Sequence, residues 1–257
     1  MSLVLYQVKD NIAYITLNRP EKRNALSAEL VSELKASFEQ ANQDNSVKII
    51  ILQANGSAFC AGADLAYLQQ LQKFSYEENL ADSNHLKELF ELIYYLPKVV
   101  IAKVQGSALA GGCGLATVAD FTFAVPEAMF GYTEVRIGFV PAIVMVFLLR
   151  KIGETQAKNL LLSGSLISAQ TAKNIGLIHE VTDAMLLDNT VENFAKNLIQ
   201  QNSAQAMGLT KQLIAQMQGI TTQQALVLAT QANAHARSTL DCQRGIAAFL
   251  NKEKIVW

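Results

Sequence analysis

The residues best suited to chemistry in this chain are one carboxylate and two runs of small side chains. Glu134 lies in Phe130-Gly131-Tyr132-Thr133-Glu134-Val135-Arg136-Ile137-Gly138-Phe139-Val140-Pro141, a largely apolar segment. Burial there would penalise the ionised carboxyl and raise its pKa toward neutrality, where it can both take and return a proton. A salt bridge to Arg136 or Arg150 explains the same residue equally well from spacing alone. The stretch Gly106-Ser107-Ala108-Leu109-Ala110-Gly111-Gly112-Cys113-Gly114-Leu115-Ala116 follows an apolar run. It reads as strand, tight turn and helix start, with orphan backbone N–H groups aimed at one spot. Such a spot holds a phosphate or an oxygen that gains negative charge during a reaction. Ala54-Asn55-Gly56-Ser57-Ala58-Phe59-Cys60-Ala61-Gly62-Ala63-Asp64 is a second small-residue loop after another apolar run. Together the two loops can offer two donors to one oxygen.

Neither nucleotide motif is met. A dinucleotide fingerprint needs a glycine where Thr117 follows Gly112-Cys113-Gly114, and a P-loop needs Lys then Ser or Thr where Gly112 and Cys113 follow Gly111. Close packing of a helix on a strand remains an alternative account of some of these glycines. Cys60, Cys113 and Cys242 show no CxxC spacing, and His85, His179 and His235 lie far apart, so no metal is expected. Cys60 and Cys113 read as small buried packing residues rather than nucleophiles, since no histidine adjoins either in sequence. His85 reads as an exposed or core-edge residue, His179 as structural, and Trp257 as an interface residue.

The positioning elements follow from periodicity. Leu3–Val8 and Ile12–Leu17 read as a hairpin around Lys9-Asp10-Asn11. A loop with Arg19, Lys22 and Arg23 precedes a helix carrying Leu30, Leu34, Phe38 and Ala41 at helical spacing. Residues 48–53 and 98–104 are apolar runs suited to strands buried on both faces. Residues 65–96 read as helical with a break at Phe74-Ser75-Tyr76, and Pro97 ends them. Asp120–Val125 and Met129–Gly131 are short strands, 132–141 an irregular connection, and the chain beyond Ala142 almost wholly helical with breaks near Gly153, Ser163-Gly164, Gly176, Asn202-Ser203 and Gly219-Ile220. Strand, loop and helix in succession predict an α/β layered core, with a helical appendage beyond about residue 200. Of the 257 residues, 51% are hydrophobic and 17% charged, with a net charge of −1. This balance favours a homo-oligomer with a small-molecule site and argues against nucleic acid or an anionic membrane as partner. With no apolar segment long enough to span a bilayer, a cytoplasmic, reduced setting is expected.

These motifs resemble the enoyl-CoA hydratase/isomerase, or crotonase, superfamily along essentially the whole chain. The matching pieces are Asn18-Arg19-Pro20 with Asn24-Ala25-Leu26, Phe59 to Asp64, Ala110 to Ala116 with Asp120, Phe130-Gly131 through Pro141, and Gly176-Leu177-Ile178. The resemblance implies a ββα spiral core over 1–200, a helical trimerisation region over 201–257, and a homotrimer or dimer of trimers. It implies an acyl-CoA thioester as substrate, with coenzyme A as part of that substrate and no separate cofactor. By the same resemblance the N–H groups of Ala63 and Gly111 form an oxyanion hole for an enolate, and Glu134 moves the proton. Arg23 is the candidate for the CoA phosphates, while Ala25, Ala61, Asp64, Leu65 and Gly114 line the substrate path. Lys22, Lys252 and Lys254 read as solvated charges.

One departure bears on the reaction. The usual hydratase of this family carries a first glutamate where Gly114 stands, leaving Glu134 as the single carboxylate. Hydration of a 2-enoyl-CoA, double-bond isomerisation of a 3-enoyl-CoA, decarboxylation of a malonyl-type thioester and silent acyl-CoA binding are the readings that remain. The text around 111–116 and 130–142 most resembles a bacterial branch that hydrates 3-methylglutaconyl-CoA in leucine breakdown. Ala142-Ile143-Val144-Met145 replaces a glycine run of many hydratases, which implies a smaller, more apolar acyl end. A dicarboxylic acyl group would then need Arg136, Tyr132 or a residue of 65–96 to meet its free carboxylate.

Overall fold

The computed structural model describes residues 2–257. It begins with the expected hairpin, β1 (Val4–Lys9) paired antiparallel with β2 (Ile12–Leu17). Asp10 and Asn11 both take positive φ, 52° and 62°, which matches the twist of a tight hairpin turn. Helix α1 (Ala28–Gln43) starts at Ser27, whose hydroxyl accepts from the Leu30 N–H, and buries Leu30, Val31, Leu34, Phe38 and Ala41.

From there the chain repeats one motif. Each turn lays down a long strand, then a short one, then helix. The pairs are β3 (Ile49–Ala54) with β4 (Ala58–Cys60), β5 (Val99–Val104) with β6 (Ser107–Leu109), and β7 (Phe121–Ala124) with β8 (Met129–Gly131). Helices α2 (Leu65–Leu71) and α3 (Tyr76–Tyr95) follow the first pair, and α4 (Gly111–Val118) the second. The third is followed by a 3-10 turn, Glu134–Ile137, and α5 (Ala142–Ser163), which is broken at Gly153 by φ 73° and ψ 169°. The remaining elements are β9 (Ile167–Ser168), α6 (Ala169–Asn174), β10 (Glu180–Val181), α7 (Leu187–Gln201), α8 (Ala204–Met217), α9 (Thr222–Ser238) and α10 (Leu240–Asn251).

The long strands, with the two-residue β10 at one edge, form a six-stranded sheet in the order β1-β2-β3-β5-β7-β10, parallel from β2 onward, and the other short ones a four-stranded sheet in the order β4-β6-β8-β9. This is the crotonase-like ββα spiral. Strands β3 and β5 are nearly all buried, as their continuous apolar sequence requires.

The structure departs from the sequence reading at the short strands. Residues 58–60 and 107–109 pair as strands, and β9 and β10 interrupt a region read as helical. Strands of two or three residues carry no usable periodicity, so their pairing is decided by the neighbours they meet. Gly106 lets the start of β6 approach β4, and Gly112 lets α4 approach β4. A Cβ on Gly106 would lie 2.1 Å from the Ser57 carbonyl oxygen, and one on Gly112 would lie 2.2 Å from that of Cys60. These two glycines therefore serve packing.

Three lysines close helix C-termini, where unpaired carbonyls gather. Lys98 Nζ donates to the Ala41 and Asp44 carbonyls, Lys151 to Thr117 and Ala119, and Lys211 to Ile93 and Lys98. Lys211 also pairs with Asp120 at 2.8 Å, joining α8 to the core. No helix among the described residues is long and apolar enough to cross a membrane.

Gly112→Ala is expected to destabilise the fold by about 1–3 kcal/mol or more, since backbone rather than a flexible side chain must give way. Equilibrium urea unfolding of the variant beside the wild type measures it.

Candidate active site

Three neighbouring parallel strands end at one level. β4 pairs with β6 through Cys60 and Ala108, and β6 pairs with β8 through Leu109 and Gly131. Just past those ends stand Ala63, Gly111 and Glu134. The carboxyl ends of parallel strands commonly carry a site, because loops from several strands converge there.

Backbone geometry sets the first donor. Leu26 and Ala63 form an isolated parallel bridge, in which the Leu26 N–H donates to the Gly62 carbonyl at 2.7 Å and the Asp64 N–H to the Leu26 carbonyl at 2.9 Å. Pairing through residues 62 and 64 turns the N–H of Ala63 to the other side. The second donor is Gly111, the first residue of α4, whose N–H has no partner within its helix. Ala110 before it has φ 49° and ψ −123°, a conformation that costs a non-glycine residue on the order of 1–3 kcal/mol. Its N–H is tied to the Gly131 carbonyl at 2.8 Å, which holds the turn in place. The two loops touch, since a Cβ on Gly62 would lie 2.7 Å from that of Ala110. Ala63 is exposed and Gly111 partly so, among buried neighbours.

Glu134 opens the 3-10 turn and is only 9% exposed. Its Oε2 is buried without a hydrogen-bond partner, and desolvation raises its pKa above the usual carboxylate value. No ion pair joins it to Arg136 or Arg150 among the described residues. Behind it, the fully buried Tyr132 shares a 2.7 Å hydrogen bond with Thr117 Oγ1, which also donates to the Cys113 carbonyl. Tyr132 is thus committed inside the protein and is not free to meet an acyl carboxylate. Burial pushes the thiols of Cys60 and Cys113 up to about 12, which suits inert packing residues.

Gly114 lies one turn into α4. A Cβ there would sit 2.3 Å from Val144 Cγ1 and 3.0 Å from Phe90 Cε1, so α3 and α5 have closed over the position with apolar atoms. The run 142–145 had pointed to an apolar wall, but the part played by Phe90 could not be read from sequence because its approach depends on how α3 packs.

The Arg19–Leu26 loop is stitched to the 61–64 loop. Asn24 is fully buried at φ 54°, donates to the Asn55 and Ala58 carbonyls at 2.9 Å each, and accepts from the Arg19 N–H at 2.8 Å. Ala61 N–H donates to the Arg23 carbonyl at 3.0 Å, which places Arg23 beside Ala61 with its side chain exposed. Asp64 caps α2 through the Ala66 N–H and pairs with Arg19 at 2.7 Å. Burial works to raise its pKa, but these bonds outweigh burial and hold the carboxyl below its ordinary value. Ala25 is buried within the loop, and Leu65, 73% exposed, opens α2 beside the site. Lys22 is exposed, as read. Two cavities of about 980 and 390 Å³ lie elsewhere, one among α8, α10 and Asp120, the other on the long sheet near Tyr14 and Lys103. Among the described residues no group of three or more His, Cys, Asp or Glu side chains is placed to hold a metal.

The arrangement thus sets two backbone N–H groups and one desolvated carboxylate just past the ends of neighbouring strands. The profile of the enoyl-CoA hydratase/isomerase family matches residues 7–257. The chain belongs to the enoyl-CoA hydratase/isomerase family. A Thermus thermophilus relative is 39% identical over 95% of this chain and 96% of its own length. A crotonyl-CoA hydratase of Syntrophomonas wolfei is 32% identical over 98% and 96%. The crystal structure of an enoyl-CoA hydratase from Shewanella pealeana superposes with a TM-score of 0.93 at 31% identity, covering 99% of this chain and 96% of that one.

The raised pKa of Glu134 carries a sign for stability. Its folded value lies above the unfolded value of 4.5, so the folded state loses stability as pH rises from there through the folded pKa. Glu134→Gln is expected to melt above the wild type at neutral pH, with the gain vanishing below about pH 4.5, as thermal unfolding across pH would record.

Proposed function

We propose that this protein hydrates a 2-enoyl-CoA thioester through an enolate held by the N–H groups of Ala63 and Gly111. The reading is carried by the delivery of two unpaired donors and one desolvated carboxylate to the same edge by three adjacent strands. Glu134, ionised, takes a proton from water as the oxygen adds to C3. The double-bond electrons move onto the thioester oxygen, where the two N–H groups meet the charge. As the enolate collapses, Glu134 returns the proton to C2, so water is added overall and the carboxylate is regenerated. Because the wall at Gly114 leaves no second carboxylate, one group performs both transfers.

That same wall favours a second reading. A single base between apolar walls suffices to take a proton from C2 and return it to C4 through the same enolate, converting a 3-enoyl-CoA into a 2-enoyl-CoA without water. The relatives' names favour hydration, which is the primary proposal.

Arg23, whose exposed side chain stands on the loop bonded to Ala61, is assigned to the CoA phosphates, and Ala25, Ala61, Leu65 and the Asp64–Arg19 pair to the walls of the CoA path. For the acyl group we assign 3-methylglutaconyl as the first candidate on motif likeness. With Tyr132 committed to Thr117, its free carboxylate must find Arg136 or a residue of α2 or α3. Assembly as a homotrimer or dimer of trimers, with 201–257 as the associating region, is supported by exposed apolar residues. Phe139 and Val140 are 55% and 59% exposed, Phe249 and Leu250 are 84% and 72%, and α9 and α10 bury no residue within the single chain. A cytoplasmic location belongs to the same proposal.

Incubation with crotonyl-CoA, 3-methylglutaconyl-CoA and a 3-enoyl-CoA, read by mass in ¹⁸O-water, is expected to show gain of one labelled water on a 2-enoyl substrate. Glu134→Gln should lower kcat by about 10²- to 10⁴-fold, the scale of a lost general acid–base group. Conversion of the 3-enoyl ester without gain of water, and no hydration, would decide for the isomerase.

A further inference from the structure

The buried charges that the proposed reaction leaves unused gather at the far end of α4. Lys151, on α5 just before the break at Gly153, donates to the carbonyls of Thr117 and Ala119, both at 2.8 Å. Although the residue as a whole is half-buried, its ammonium is turned inward onto the last orphan carbonyls of α4. The opposite end of that eight-residue helix is Gly111, roughly 12 Å away at 1.5 Å per residue. Helix α5 begins only a few residues after Glu134. The bond from Lys151 therefore ties α4, whose first residue is Gly111, to the helix that follows the Glu134 turn in the chain.

We propose that Lys151 is a positioning residue for the oxyanion donor. Its ammonium clamps the carbonyl end of α4 to α5 and offsets the negative pole of that helix, so that the N–H of Gly111 meets the developing oxyanion in a set place with its positive pole uncompensated. The role rests on the proposed enolate chemistry.

The surroundings define how this role responds to pH. Asp120, in the connection after α4, faces Lys151 and is shared with Lys211 of α8. Cys113 of α4 is neutral, with its thiol pushed up to about 12, and Tyr132 and Tyr94 are both raised by burial, leaving them protonated. On α5 itself, Arg150 and Glu154 are exposed. Burial lowers Lys151 to about 8, against the opposing pull of Asp120. As pH rises through that value the ammonium becomes an amine, and its charge is lost from the helix pole. Lys211 is also lowered by burial, so it is the competing source of any alkaline effect.

The test is steady-state turnover of crotonyl-CoA from about pH 6 to about pH 10 for wild type, Lys151→Met, Lys151→Arg and Lys211→Met. The wild type is expected to lose kcat above about pH 8 with KM little changed, and Lys151→Met to start about tenfold lower in kcat at neutral pH without that alkaline limb. Lys151→Arg, which stays charged, should recover kcat and extend it to higher pH. A Lys151→Met enzyme with wild-type kcat, or an alkaline limb that persists in it and disappears in Lys211→Met, overturns the role. If Lys151→Met does not fold, the Lys151→Arg profile decides: loss of the limb supports the role and retention overturns it. A wild type inactive on all thioesters overturns the reaction and this role together, whereas an active wild type with an unaffected Lys151→Met overturns the role alone.

Discussion

The site depends on three very short strands ending at the same level. Strands β4, β6 and β8 have three residues each, too few to hold a register by themselves. Each follows a long strand of the other sheet, and the order β4-β6-β8 repeats the order β3-β5-β7. The register of the long, buried sheet is thus copied into the short one. Gly106 and Gly112 permit that copying, because any side chain at either would strike a carbonyl of the β4 region.

Around that frame, the fold keeps several locally unfavourable features together. Ala110 holds a conformation that suits glycine, Glu134 is buried with an oxygen that has no partner among the described residues, and the Gly111 N–H has no partner within its helix. Each lowers stability and each suits a reaction in which negative charge appears briefly at one oxygen and a proton returns to carbon. The offsetting contributions lie nearby: Asn24 locks two loops with three hydrogen bonds, and Asp64 both caps a helix and pairs with Arg19. The lysines at helix ends perform a related service, satisfying carbonyls at the C-termini of α1, α3 and α4.

Much of this was legible along the chain. The hairpin, the long strands and α1 are written in period and apolarity, and the small-residue loops announced backbone donors. Glu134 stood out as an acid in an apolar run, but spacing alone left a salt bridge as an equal account. The fold removed that ambiguity by burying the carboxyl with no cation paired to it among the described residues. Gly114 reads in sequence only as an absent glutamate; the packed molecule shows Val144 and Phe90 occupying the space. Tyr132 stood in sequence as a possible partner for an acyl carboxylate, and the fold commits it to Thr117.

What the sequence determined by itself was therefore what is local: which segments are strand or helix, which turns need small residues, and which motifs place the chain in its family. What only the tertiary structure decided was convergence. The Arg19–Asp64 pair, the Lys151 clamp on α4 and the closure of α3 and α5 over Gly114 join residues tens of positions apart, and none leaves a periodic trace. Propensity and patterning act over a few neighbouring residues, whereas desolvation and close contact arise only when distant segments share the same space.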